Sequence, residues 1–210
     1  MAGRPGPEYR PLSSERRAAI LEETLAKSPE PDCIRVFAYG SLMWNPCFEP
    51  LESVPALVEG YERHFCILTV RARGTPECPG LGPALVPGEG GCRGIAYRLN
   101  QKTLSRDLDA LFEREMHTGI YRPTWIEAGV GEGRHSALTF VVDTTHRQYC
   151  GRLGLEERVD LIAGASGSYG SCRDYLANMV SALARIGGAE PELDELLKRV
   201  DARLAKSGPR

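Results

Sequence analysis

Two short stretches of this chain combine residue types that can do chemistry. The first is Phe37-Ala-Tyr-Gly-Ser-Leu-Met-Trp44. Its lead-in, Ile34–Tyr39, is β-branched and aromatic, which predicts a strand. Gly40 has no Cβ, so the backbone is free to turn sharply where the strand meets Ser41. Successive N–H groups in such a turn make a concave anion site, suited to a carboxylate or a phosphate. The same residues also fit a plain tight turn at a strand end. The pattern G-x-x-x-x-G-K-[ST] is absent, so nothing favours phosphate in particular.

The second stretch is a helical pattern over 104–118. Leu104, Leu108, Leu111 and Phe112 share one face, and Glu115 continues that stripe, one turn beyond Leu111. Glu113 falls about 100° around from Phe112, towards the face of Asp109. A carboxylate on an apolar face is costly unless it is paired or used. Burial raises its pKa towards neutrality, which suits a general acid or base. The plainer alternative is an ion pair with Arg114, Arg122 or another arginine, and Glu113 and Glu115 bracket Arg114 as an ordinary solvated charge run would.

Other site chemistries find little footing. Cys33, Cys47, Cys66, Cys78, Cys92, Cys150 and Cys172 are scattered and never form C-x-x-C. No histidine has a Cys, Asp or Glu at zinc-ligand spacing, so neither a metal site nor a redox motif is expected. The cysteines read as reduced thiols of a cytoplasmic protein. Cys47 or Cys66 with a distant histidine would make a thiol nucleophile, without local support. Ser41 is not in a G-x-S-x-G elbow.

The elements that must carry these stretches fit a chain of 210 residues, enough for one domain with a sizeable core. With 42% hydrophobic and 26% charged residues, wholesale disorder is excluded. A net charge of −2 gives no basic field for nucleic acid. No apolar run is long enough to span a membrane, and the N-terminal residues lack the apolar core of a secretory signal. Residues 1–12 read as a Pro/Gly-rich arm. A helix follows to about Lys27, with Ser14 as N-cap. Strands are expected over 34–39, 61–70 and 92–99, with a long Gly/Pro-rich loop over 71–91. A helix then runs to about Thr118 with Gly119 as its stop. A hairpin of strands 124–130 and 136–143 comes next, and helices near 155–163, 172–187 and 190–206 finish the chain. The order predicts an α+β fold with an antiparallel or mixed sheet: an arm and helix over 1–30, then a single domain over 31–206.

These motifs resemble, in order, those of the ChaC family of glutathione-specific γ-glutamylcyclotransferases. The resemblance starts with Val36-Phe-Ala-Tyr-Gly-Ser-Leu-Met-Trp-Asn-Pro46 and Arg73-Gly-Thr-Pro-Glu-Cys-Pro-Gly80. It continues with Gly94-Ile-Ala-Tyr-Arg98, Arg114-Glu-Met-His-Thr-Gly-Ile-Tyr-Arg-Pro-Thr-Trp125, and Phe140-Val-Val-Asp through Gly170-Ser-Cys-Arg-Asp-Tyr-Leu176. It covers roughly residues 34–190.

The resemblance implies a small twisted β-barrel-like sheet with helices around it. It implies conversion of glutathione to 5-oxoproline and cysteinylglycine without metal or organic cofactor. It makes Tyr39, Gly40, Ser41 and Leu42 the binding turn for the γ-glutamyl group and Glu115 the catalytic acid/base. Tyr175 becomes a substrate contact, although Ser171 and Cys172 depart from the family pattern there. The only partner implied is the small substrate. Its second carboxylate calls for a cation, with Arg71, Arg73, Arg98 and Arg122 as candidates. Two rivals keep the fold: a cyclotransferase for other γ-glutamyl amines or amino acids, and a non-catalytic protein that binds a small acidic ligand.

Overall fold

The structure, a computed structural model, describes residues 7–207. The elements are α1 (Ser14–Leu25), β1 (Arg35–Ala38), a 3₁₀ turn (Ser41–Met43), β2 (Glu52–Thr69), β3 (Gly80–Arg98), α2 (Leu104–Glu115), β4 (Tyr121–Val130) and β5 (Gly133–Val142). They continue with α3 (Leu155–Gly164), β6 (Ser166–Gly167), β7 (Gly170–Ser171), α4 (Cys172–Arg185) and α5 (Pro191–Ser207). Strands β1-β3-β2-β4-β5 form a closed barrel in that order. The α+β class and the small barrel-like sheet are as expected. Among the described residues, no helix is long and apolar enough to cross a membrane.

The chain divides into two compact units. One comprises Arg10–Arg63 and Leu85–Asp143; the other comprises residues 7–9, His64–Ala84 and 144–207. In the first unit β1 runs antiparallel to β3, pairing Ala38 with Ile95, and parallel to β5, pairing Val36 with Leu138. Strands β4 and β5 form the expected hairpin, paired from Tyr121↔Val142 to Val130↔Gly133. Phe37, Tyr39, Ala56, Val58, Leu85, Ile126 and Ala137 fill its core. On α2, Leu108, Leu111 and Phe112 are buried, as the stripe predicts, and Phe112 meets Phe140 edge to face at 5.6 Å. In the second unit Val159, Ile162, Leu176, Met179, Leu196 and Val200 bury the facing sides of α3, α4 and α5.

Several boundaries differ from expectation. Strands β2 and β3 are about twice as long as predicted. Pro55 had marked residues before 61 as loop, yet it precedes Ala56, the first residue paired with β4, so its missing N–H costs that ladder nothing. The Gly-rich half of β3 is strand because its glycines make room. Glu62 folds over Gly88 and Gly90, its Oε1 accepting from the Gly90 N–H at 3.2 Å. The N-cap of α1 is Ser13, not Ser14: the Ser13 hydroxyl accepts from the Arg16 N–H at 3.2 Å. The segment 165–170 holds the small β6–β7 hairpin instead of a bare linker. Helix α2 stops at Glu115, with Met116 as C-cap, three residues before Gly119. Residues 1–6 of the expected arm lie outside the described residues.

Candidate active site

Because α2 ends at Glu115, the suspicious carboxylate is the helix's last residue. The negative end of the helix dipole opposes charge there. The Glu115 side chain is only 18% exposed. Burial pushes its carboxyl above the ordinary carboxylate range, while the neighbouring Arg114 guanidinium acts in the opposite direction. Glu113 is exposed on the other face. The periodicity thus separates the two glutamates correctly.

The Tyr39–Leu42 segment leaves β1 and enters the 3₁₀ turn, closed by Met43 N–H to Gly40 C=O at 2.9 Å and Asn45 N–H to Ser41 C=O at 2.9 Å. The N–H groups of Gly40, Ser41 and Leu42 stand at its start, where a helix offers no internal acceptor. Among the described residues none of the three finds one. Gly40 has φ −125° and ψ −142°. This is outside the left-handed region, so the turn does not draw on a positive φ at Gly40.

The side chains here have distinct tasks. Tyr39 points into the barrel, its hydroxyl donating to the Phe140 carbonyl at 2.7 Å. Leu42 is buried, and its carbonyl accepts from the Tyr97 hydroxyl at 3.0 Å. Ser41 turns its side chain towards α2: Arg114 Nη2 donates to Ser41 Oγ at 2.8 Å. Arg114 Nη1 donates to the Asn45 carbonyl at 2.6 Å, and Arg114 Nε lies 3.4 Å from Glu115 Oε1. The structure therefore gathers the turn and the helix end through one guanidinium.

Cys47 belongs to the same neighbourhood. Burial pushes its thiol up, Arg114 pulls it down and Glu115 pushes it up again. Cys66 is pushed up to about 12 by burial. Both shifts disfavour the thiolate, which argues against the thiol nucleophile.

Tyr175 lies on α4 in the other unit. There Arg73 stacks over its ring at 5.4 Å and donates through Nη1 to the Ser171 carbonyl at 3.2 Å. Of the four candidate arginines, Arg98 is paired with Glu52 at 3.3 Å and Arg122 with Asp143 at 2.8 Å. Arg71 stacks on Tyr9 at 5.5 Å.

Sequence reasoning missed Arg63, which is 8% exposed. Its Nε donates to the Tyr39 carbonyl at 2.8 Å. The signal was available: Arg63 sits in phase with Tyr61 and Phe65 on the inward face of β2, where an arginine is out of place.

A family model described as "ChaC-like protein" matches residues 34–203. The chain belongs to the ChaC-like family. Among its ChaC-like relatives, the glutathione-specific γ-glutamylcyclotransferase of Escherichia coli is 39% identical over 198 residues, covering 94% of this chain and 85% of the relative. The Schizosaccharomyces pombe protein of the same description is 28% identical over 202 residues, covering 86% and 98%. The crystal structure of the yeast γ-glutamyl cyclotransferase specific to glutathione superposes with a TM-score of 0.72 at 21% identity, covering 81% of this chain and 96% of that one. That likeness establishes the fold.

Proposed function

We propose that this chain cleaves glutathione to 5-oxoproline and cysteinylglycine by intramolecular aminolysis, with Glu115 as the acid/base. The observation that carries the reading is the helix end: a shielded carboxyl with a raised pKa, linked through Arg114 to a turn with three open N–H donors. The E. coli relative supports the choice of substrate.

The substrate's α-amine attacks its own γ-carbonyl carbon and closes a five-membered lactam as the bond to the cysteine nitrogen breaks. The N–H groups of Gly40, Ser41 and Leu42 hold the α-carboxylate. This folds the γ-glutamyl chain for attack, a proximity effect worth about 7–11 kcal/mol in well-oriented cases. Glu115 accepts the proton from the amine and returns it to the leaving nitrogen, so one carboxyl serves both steps. A pKa raised towards the working pH suits both directions of transfer. Tyr39 and Leu42 shape the turn from the core. The scattered spacing of the seven cysteines, without C-x-x-C, fits reduced thiols in a cytoplasmic setting.

The test is an end-point assay of 5-oxoproline and cysteinylglycine from glutathione, run beside γ-glutamyl-alanine. Preferred turnover of glutathione supports the reading. Equal turnover of both makes the chain a general γ-glutamyl cyclotransferase, and no product from either makes it a binding protein.

A further inference from the structure

We propose that Arg114 is a positioning residue that locks the Gly40–Asn45 turn onto the end of α2 and holds its charge against Glu115. The inference rests on the reading of Glu115 as acid/base and of the turn as the carboxylate site.

Each guanidinium nitrogen has its own partner. Nη2 holds the Ser41 hydroxyl at 2.8 Å, Nη1 the Asn45 carbonyl at 2.6 Å, and Nε faces Glu115 at 3.4 Å. Ser41 and Asn45 are the two ends of the turn, themselves joined by the Asn45 N–H to Ser41 C=O bond. The fork therefore fixes the turn as a unit. A planar guanidinium presents its donors at fixed angles; an ammonium is one point of charge and cannot cover three partners spread this way. With each of its three nitrogens holding a protein partner, Arg114 acts through Ser41 and Glu115.

The charge of Arg114 is felt at two titrating groups. It lowers Glu115 against the effect of burial, and it lowers Cys47 against the effects of burial and Glu115. Cys47 takes no part in the proposed reaction, so its reactivity reports on the same electrostatic cluster independently of turnover.

The test uses full-length Arg114→Gln and Arg114→Lys, with thermal unfolding to verify that both fold. In Arg114→Gln the acid limb of the kcat/KM profile moves to higher pH, because the opposing charge is gone. KM for glutathione rises about tenfold, the scale of one lost charged hydrogen bond. Peptide-mapped alkylation of Cys47 slows. Arg114→Lys keeps the limb near wild type but retains the raised KM, since it keeps the charge and loses the fork. A merely structural arginine would leave the limb in place, and that result in a folded Arg114→Gln overturns the electrostatic role.

The turn-locking role is read without catalysis by calorimetric titration of glutaryl-cysteinylglycine, which keeps both carboxylates and lacks the attacking amine. About tenfold weaker binding to Arg114→Gln than to wild type supports it; equal affinity overturns it. If Glu115→Gln turns over glutathione at the wild-type rate, the acid/base reading fails, and the calorimetric comparison still decides the hold of Arg114 on the turn.

Discussion

Arg63 Nε donates to the Tyr39 carbonyl across 2.8 Å, and Arg63 Nη2 donates to the Arg93 carbonyl at 2.5 Å. One buried guanidinium thus ties β2 to the residue that leads into the 3₁₀ turn and to β3. Truncation leaves both carbonyls without this donor. Arg63→Ala is expected to lose about 3 kcal/mol of stability, the scale of two hydrogen bonds to a charged donor. In a protein of this size that lowers Tm by about 6–12 °C. Calorimetric unfolding checks it, and an unchanged Tm would remove Arg63 from the framework of the turn.

Glu115 and Glu113 lie two residues apart on α2, one shielded and one exposed. Glu115→Gln is expected to keep the fold and to lose about 10²–10⁴-fold in kcat, the usual contribution of a positioned acid/base. Glu113→Gln is the matched control and should stay close to wild type, as exposed substitutions do. Comparable losses in both variants would point to helix damage instead of chemistry.

The raised pKa of Glu115 also links pH to stability. The folded protein binds this proton more tightly than the unfolded chain does. The resulting stabilisation is fully present below the unfolded-state carboxylate pKa and is lost as pH rises through the folded value. Above that value the ionised, desolvated carboxylate is therefore a cost. Glu115→Gln should raise Tm at neutral pH, and the gain should shrink in acid below the ordinary carboxylate range. A Tm difference that does not vary with pH would show that the carboxyl titrates normally.

How far the site was legible follows from what a period can encode. Leu104, Leu108, Leu111 and Phe112 set a phase, and that phase picked Glu115 over Glu113 without a structure. Sequence could not say that α2 stops at Glu115, because no glycine cap sits there; Gly119, which does carry a positive φ of 73°, lies four residues later. The barrel was half legible. Its short apolar strands were plain, but the Gly- and Pro-bearing halves of β2 and β3 looked like loops, since the approach of Glu62 over Gly88 and Gly90 is a long-range contact. Arg63 escaped for the same reason, and so did the reach of Arg114 beyond Glu115: their partners Tyr39, Arg93, Ser41 and Asn45 are tens of residues away.

Cys47 sits among the charges of the site with its thiol pushed up by burial. Cys47→Ala should therefore retain turnover, and product formation from glutathione measures it directly. Loss of activity in a folded variant would return the thiol to the mechanism. Cys66 and Cys172, pushed up to about 12 and about 11, should resist alkylation in the native protein at neutral pH. Cys78, which is exposed, should react first.

Gly94 lies where β3 passes β1, next to the Ala38↔Ile95 pair. A Cβ at Gly94 would stand 2.3 Å from the Ala38 carbonyl oxygen and 2.8 Å from the Phe37 ring. The oxygen belongs to the backbone and the ring is 1% exposed inside the core, so neither has room to give way. Gly94→Ala is expected to cost about 3 kcal/mol or more, the upper range for overpacking. Gly131 provides the contrast. It has a φ of +58° in the β4–β5 turn, and a Cβ there would meet nothing within 4 Å. Gly131→Ala should cost about 1 kcal/mol, from backbone conformation alone. Denaturant unfolding of the two variants separates packing from conformational strain. If Gly94→Ala proved the milder of the two, β1 and β3 would not approach as closely as this register requires, and the start of the 3₁₀ turn after Ala38 would have to be placed differently.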